Sequence, residues 1–284
     1  MALSLRFWGT RGSIPSPGSA TVVFGGNTPC LTVEADSGRR LILDAGTGIR
    51  DLGRALTATS SAPVALTILL SHTHWDHIQG LPFFQPLYRP GNTVRILGPG
   101  KPTAPLEAII RAQMEPAVFP VPIGALAANL VVEEFDAING EVEGFDVRST
   151  PLCHPGVTVG FSIGESAGGP RVSYMTDNEL AGRRADQMRV GLVQFLRGTD
   201  TLVHDAMYFD HELPGRAGWG HSSAGEAVAL ALESGCRRVV LFHHDPDHDD
   251  EALPRLLAEA HRTRDRLGGA CEVLIAAEGM TLRC

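Results

Sequence analysis

The sequence predicts an α/β fold of the αββα kind, in which two packed mixed β-sheets are flanked by helices. Two observations carry this. Strand-like runs come first with helices interspersed, and the same scheme then repeats in the second half. A third bears on organisation. No linker separates the halves, and 284 residues with 43% hydrophobic content can build one large core. Residues 1–284 are therefore expected to form a single domain.

The first half opens with an alternating run, Leu3–Trp8, and two further strands, Leu31–Glu34 and Arg40–Leu43, joined by a polar turn. These predict an antiparallel meander. Gly48–Leu56 reads as a short helix. Val64–Leu70 is rich in strand formers and too short for a typical helix, so it reads as a buried strand. Ile78–Tyr88 is apolar and broken by proline. Val94–Leu97 is a strand and Ala104–Met114 a helix. Residues 114–124 carry three prolines and are expected to form a loop over the site.

In the second half, strands are expected at Leu130–Phe135, Phe145–Thr150, Val157–Ile163, Arg171–Thr176, Thr201–Val203, Arg238–Phe242 and Val273–Ala276. Helices are expected at Asp186–Arg197, Ser222–Ser234 and Glu251–Leu267. Ser222-Ser223-Ala224-Gly225-Glu226 is a helix start signal, a serine cap followed by an acid in the first turn.

Composition narrows the partners. A formal net charge of −8 disfavours bulk attraction to nucleic acid or anionic membrane. A local basic patch near the N-terminus is still allowed by Arg6, Arg11, Arg39 and Arg40. The first residues lack the layout of a secretory signal, and no apolar stretch approaches a membrane span. Cys30, Cys153, Cys236, Cys271 and Cys284 have no Cys-x-x-Cys spacing. This predicts reduced thiols in the cytoplasm.

The densest chemical signal is His72-Thr73-His74-Trp75-Asp76-His77, directly after the Val64–Leu70 strand. Three of the eleven histidines fall in this hexapeptide. Neutral imidazoles with a carboxylate suit Zn, Fe or Mn, and loops at strand ends are where such groups are mounted. Further candidates close later strands: His154, Asp177, the pair His204 and Asp205, and the pair His243 and His244. Any one alone is more often a satisfied polar residue. Their recurrence at neighbouring strand ends is what points to one site. His244, Asp245, Asp247, His248, Asp249 and Asp250 read as a solvated turn.

Over nearly its whole length the chain resembles the metallo-β-lactamase superfamily. The order His72-x-His74-x-Asp76-His77, His154, Asp177, His243 is similar to that superfamily's two-metal site, and Asp44 matches the acidic residue that supports the ligand loop. The common β-lactamases carry cysteine where this chain has Asp177, which implies a carboxylate bridge instead. Gly220-His221-Ser222-Ser223-Ala224 looks like the His-Ser-Thr segment of ribonuclease Z and of the cyclic-phosphate phosphodiesterase of phosphonate metabolism. Leu202-Val203-His204-Asp205-Ala206 is similar to the His-Glu-Ala-Thr segment of ribonuclease Z, with Asp for Glu. Gly9-Thr10-Arg11-Gly12-Ser13 and Gly26-Asn27-Thr28 also resemble that group.

There are departures. Common bacterial ribonuclease Z inserts a tRNA-gripping arm between the third histidine and the bridging aspartate, an interval of 177 − 154 = 23 residues here. The added cysteine-bound zinc of the phosphonate enzyme is not expected, since Cys30 stands alone in that region.

The resemblance implies a dinuclear hydrolase with two divalent cations, Zn2+ ahead of Mn2+ or Fe2+. His72, His74, His154 and Asp177 would hold one, and Asp76, His77, His243 and Asp177 the other. Candidate catalytic residues are Asp76, which doubles as a ligand, His221 as general acid and Asp205 orienting it. A metal-activated hydroxide is expected to attack a small phosphodiester such as a cyclic nucleotide. The alternatives are a lactonase or thioester hydrolase on the same metals, and a ribonuclease Z-like tRNA 3′-endonuclease. The expected partner is the small substrate, with no membrane, with nucleic acid disfavoured, and with a homodimer allowed.

Overall fold

The computed structural model describes residues 2–59, 62–100 and 103–284. Seven strands form the first sheet: β1 (Leu3–Gly9), β2 (Cys30–Ala35), β3 (Arg40–Leu43), β4 (Ala65–Leu69), β5 (Thr93–Pro99), β6 (Asn129–Phe135) and, from the far end of the chain, β14 (Thr281–Arg283). Its order is β14-β1-β2-β3-β4-β5-β6. The second sheet holds β7 (Asn139–Val142), β8 (Phe145–Pro151), β9 (Val159–Glu165), β10 (Arg171–Met175), β11 (Thr201–Asp205), β12 (Arg238–Phe242) and β13 (Glu272–Ile275), in order 13 to 7. The predicted two-sheet sandwich is the observed fold.

Both sheets change character at one strand. The first is antiparallel from β14 to β3 and parallel from β3 to β6. The second is antiparallel from β7 to β10 and parallel from β10 to β13. Ligands in open α/β sheets gather where topology switches, beyond the carboxyl ends of the strands. The chain leaves β3 at Asp44 and β10 just before Asp177.

Alternation on each strand sorts side chains between three cores. Leu5, Phe7, Leu31, Leu43 and Leu69 meet Phe145, Phe161, Tyr174, Val240 and Phe242 between the sheets. Ile42, Ile68 and Ile96 face outward against α1 (Ile49–Thr59) and α3 (Leu106–Ala112). Val239 and Leu241 face α5 (Ala224–Ser234) and α6 (Ala252–Arg266), and α4 (Arg183–Leu196) packs beside them. Burial on both faces explains why β4 and β12 read as continuous apolar runs. Each large apolar side chain buried this way contributes roughly 1.5–3 kcal/mol.

Some boundaries differ from the sequence reading. Ser222 and Ser223 lie before α5, not in it. Ser223 Oγ accepts from the Glu226 N–H while Glu226 accepts from the Ser223 N–H, a reciprocal cap. α4 starts at Arg183, three residues earlier than expected, and β9 starts at Val159. The sequence reading missed β7 and β14, which are four and three residues long and largely polar. Residues 114–124 lie beside the His72–His77 loop, where Phe119 packs edge-on to Phe83.

Two expectations fail. The N-terminal arginines form no patch. Arg11 is fully buried, Arg39 pairs with Glu165, Arg40 pairs with Glu34, and Arg6 lies over the Trp8 ring. Nor is the run after His243 a wholly solvated turn: Asp247 is exposed and Asp249 and Asp250 are partly so, but His244, Asp245 and His248 are buried. Arg11, from the other end of the chain, donates through Nη1 to the carbonyls of Asp245 and His248 and holds that turn inside.

Candidate active site

After β4 the backbone makes one helical turn, α2 (Trp75–Ile78), which aims Asp76 and His77 inward and leaves Trp75 in solvent. The exit from β3 clamps this turn: the Ala45 N–H donates to the His77 carbonyl and the Gly80 N–H to the Ala45 carbonyl. Asp44, fully buried, collects the loop. Its Oδ1 accepts from the Ser71 N–H at 2.7 Å. Its Oδ2 accepts from the Ser71 hydroxyl at 2.8 Å, from His77 Nδ1 at 2.7 Å and from the Tyr174 hydroxyl at 2.8 Å. With its Nδ1 proton committed, His77 presents a bare Nε2 to the site.

Two other histidines are fixed the same way. Ser71 Oγ accepts from His72 Nδ1 at 3.1 Å, and the Gly220 carbonyl accepts from His154 Nδ1 at 2.9 Å. Gly220 has φ 89, and an added Cβ there would stand 2.1 Å from His154 Nδ1. His243 packs on Gly12, where an added Cβ would stand 2.5 Å from the ring. Asp44, Asp177 and His243, each just past a strand, have φ of 58, 51 and 62. Left-handed backbone at non-glycine residues is strained and clusters at functional sites.

The predicted residues converge. Ligand-type atoms of His72, His74, His154 and Asp177 lie within 4.8 Å of one another, and so do those of Asp76, His77, Asp177 and His243. Asp177 serves both groups with different oxygens. Its Oδ2 is 3.7 Å from His72 Nε2 and from His154 Nε2, while its Oδ1 is 3.1 Å from His77 Nε2 and 3.3 Å from His243 Nε2. Asp76 Oδ2 is 3.2 Å from both His77 Nε2 and His243 Nε2, and accepts from the Ser13 N–H at 2.9 Å.

These groups fit divalent cations. Bonds of about 2.0–2.2 Å in a tetrahedral shell put neighbouring ligand atoms about 3.3–3.6 Å apart. The observed spacings bracket that. His72 Nε2 and His77 Nε2 are buried without a hydrogen-bond partner among the described residues. Lone pairs turned toward carboxylate oxygens repel unless a cation lies between. Burial and neighbouring imidazoles also push His72 well below the ordinary histidine range, so it stays neutral.

His221 stands against both groups. Its ring stacks on His243 with centroids 5.0 Å apart and meets His154 edge-on at 5.1 Å. Asp205 Oδ2 accepts from His221 Nδ1 at 2.6 Å, and Asp205 Oδ1 is fixed by the N–H groups of Met207 and Ser222. Burial alone would lower the His221 pKa, but the Asp205 carboxylate outweighs it and the pKa is pushed up to about 9. This favours the protonated ring. His204 is not in the site; it is fully buried against Asn178 Nδ2 at 3.1 Å.

A family model described as a β-lactamase superfamily domain matches residues 39–244. The chain belongs to this family. It is a metal-dependent hydrolase of the metallo-β-lactamase superfamily, on the branch that includes ribonuclease Z. A ribonuclease Z of Bradyrhizobium diazoefficiens is 29% identical over 91% of this chain and 94% of its own length. Among solved structures, the short form of human tRNase Z superposes with TM-score 0.67 at 20% identity, covering 98% of each chain. Unliganded yeast PDE1 superposes with TM-score 0.69 at 15% identity, covering 99% of each. The two structures share the fold with the β-lactamase superfamily domain described here.

Sequence reasoning missed Ser13, Ser71, Tyr174 and Asn178. Asn178 Oδ1 accepts from the Cys153 N–H and so fixes the strand end that carries His154. Ser71 and Asn178 adjoin ligand positions and were open to inspection. Tyr174 reads only as one more apolar strand residue.

Proposed function

We propose that residues 1–284 act as one dinuclear phosphodiesterase domain for a small phosphodiester, a cyclic nucleotide or a close relative. His72, His74, His154 and Asp177 hold one divalent cation, and Asp76, His77, His243 and Asp177 hold the second, with Zn2+ the preferred ion. Two such cations neutralise a phosphoryl group and bring the pKa of bound water toward neutrality. The protein's part is positional. Asp177 ties the two groups together with one oxygen each, and Asp44 keeps the His77 lone pair aimed inward. As water attacks phosphorus and gives up a proton to solvent, and the P–O bond to the leaving oxygen breaks, His221 passes its own proton to that oxygen. Asp205 holds the imidazolium in orientation.

The His221–Asp205 pair at 2.6 Å, packed on ligands of both groups, carries the phosphodiester reading. An alkoxide leaving group needs a proton, and a lactone or thioester hydrolase needs instead a polar group poised at a carbonyl.

The relatives named ribonuclease Z favour an RNA substrate as the second reading. Two features weigh against it. The interval from His154 to Asp177 is taken up by the β9–β10 hairpin, which leaves no room for an arm. The net charge of −8 opposes a polyanion. Rates on bis(p-nitrophenyl) phosphate, cyclic nucleotides, precursor tRNA, a lactone and a glutathione thioester decide between them. Highest efficiency on a cyclic nucleotide supports the proposal. Highest efficiency on tRNA, the lactone or the thioester overturns it.

A further inference from the structure

Two side chains of the His72–His77 loop, Thr73 and Trp75, take no part in either ligand group. Trp75, between His74 and Asp76, is 75% exposed. It borders a cavity of about 540 Å³ walled by Pro82, Phe83, Ile109 of α3, Val118 and Phe119. Phe83 and Val118 are themselves exposed, so the cavity presents apolar and aromatic surface to water. Thr73, between His72 and His74, lines the same cavity, which makes it continuous with the ligand loop.

We propose that this groove seats the nucleobase of the substrate, with Trp75 stacked on its face. The proposal rests on the phosphodiesterase reading and adds the part of the substrate away from the phosphate. A base is flat and apolar on its faces, polar at its rim and tethered to phosphate. The groove offers aromatic and apolar walls for those faces, and it shares Thr73 and Trp75 with the ligand loop. Stacking on an aromatic side chain tolerates any base. Selectivity is therefore expected for nucleotides over base-free phosphates more than among bases.

The test is calorimetric titration of metal-loaded protein with AMP and with ribose 5-phosphate, metal content being measured on every variant. Wild type should bind AMP more tightly. Trp75→Ala should lower AMP affinity about tenfold, leave ribose 5-phosphate unchanged, and be largely rescued in Trp75→Phe. If Trp75→Ala sheds metal, Phe83→Ala, further from the ligands, should show the same selective loss. Equal wild-type affinities for the two ligands overturn the proposal, as do variants that weaken both alike. So does a Trp75→Ala that turns a dimer into a monomer in ultracentrifugation while AMP preference persists, since the groove would then be a face between copies. Failure of the groove leaves phosphodiester hydrolysis intact. Failure of the phosphodiesterase reading appears instead as wild-type protein that hydrolyses no phosphodiester.

Discussion

Asp44 and Asp177 hold matching places in the two sheets. Asp44 directly follows β3 and Asp177 lies just beyond β10, the strands at which each sheet turns from antiparallel to parallel, and both have left-handed backbone, with φ 58 and 51. His77 lies between them, with Nδ1 on Asp44 Oδ2 at 2.7 Å and Nε2 facing Asp177 Oδ1 at 3.1 Å. One carboxylate orients the imidazole, and the other faces its second nitrogen.

Asp44→Ala follows from this. It leaves the Ser71 N–H, the Ser71 hydroxyl, His77 Nδ1 and the Tyr174 hydroxyl without their acceptor in a fully buried place. The expected cost is about 3–5 kcal/mol in denaturant unfolding, with a 10–100-fold loss of metal affinity. Normal metal affinity in the folded variant would show that Asp44 does not orient His77.

Gly220→Ala and Gly12→Ala should injure different metal positions. The first places a Cβ against His154 Nδ1 and the second against the His243 ring. In competitive chelator titration, each variant is expected to weaken one of two metal equivalents and spare the other. Identical profiles for both variants, or no change in either, would refute the assignment of His154 and His243 to separate positions.

His221→Ala should keep the metals and lose on the order of a hundredfold or more in phosphodiesterase rate. The loss should be smaller with p-nitrophenolate as leaving group than with a ribose hydroxyl, because nitrophenolate needs little protonation. Equal losses on the two would leave His221 without an acid role.

Removal of metal should lower the melting temperature. Metal at about a hundred times its Kd adds about 2.7 kcal/mol to the native state, which for a chain of this size is several degrees. An unchanged melting curve in excess chelator, with metal loss verified, would separate the site from folding.

What the sequence revealed and what it hid divide along sequence distance. The hexapeptide His72–Asp76–His77 is local, so its chemistry was legible at once, and the strand ends at His154, Asp177 and His243 followed from apolar runs that stop. The two-sheet architecture was legible because the pattern repeats. Contacts made across the chain were not. Arg11 captures the carbonyls of Asp245 and His248 more than 230 positions away, which draws His244, Asp245 and His248 of an apparently solvated run inside. β14 pairs with β1 from the opposite end of the chain. Tyr174 donates to Asp44 from the second sheet into the first, 130 positions apart, and nothing in an apolar strand marks one tyrosine as part of the site. Left-handed backbone at Asp44, Asp177 and His243 was equally hidden, since residue type permits it without requiring it.

The central claim is a two-cation site bridged by Asp177. Elemental analysis of protein purified without chelator, with phosphodiesterase activity assayed on the same sample, tests it most directly. The expected result is two divalent ions per chain together with activity, and loss of both metal and activity in His74→Ala. One ion or none in an active sample would contradict it.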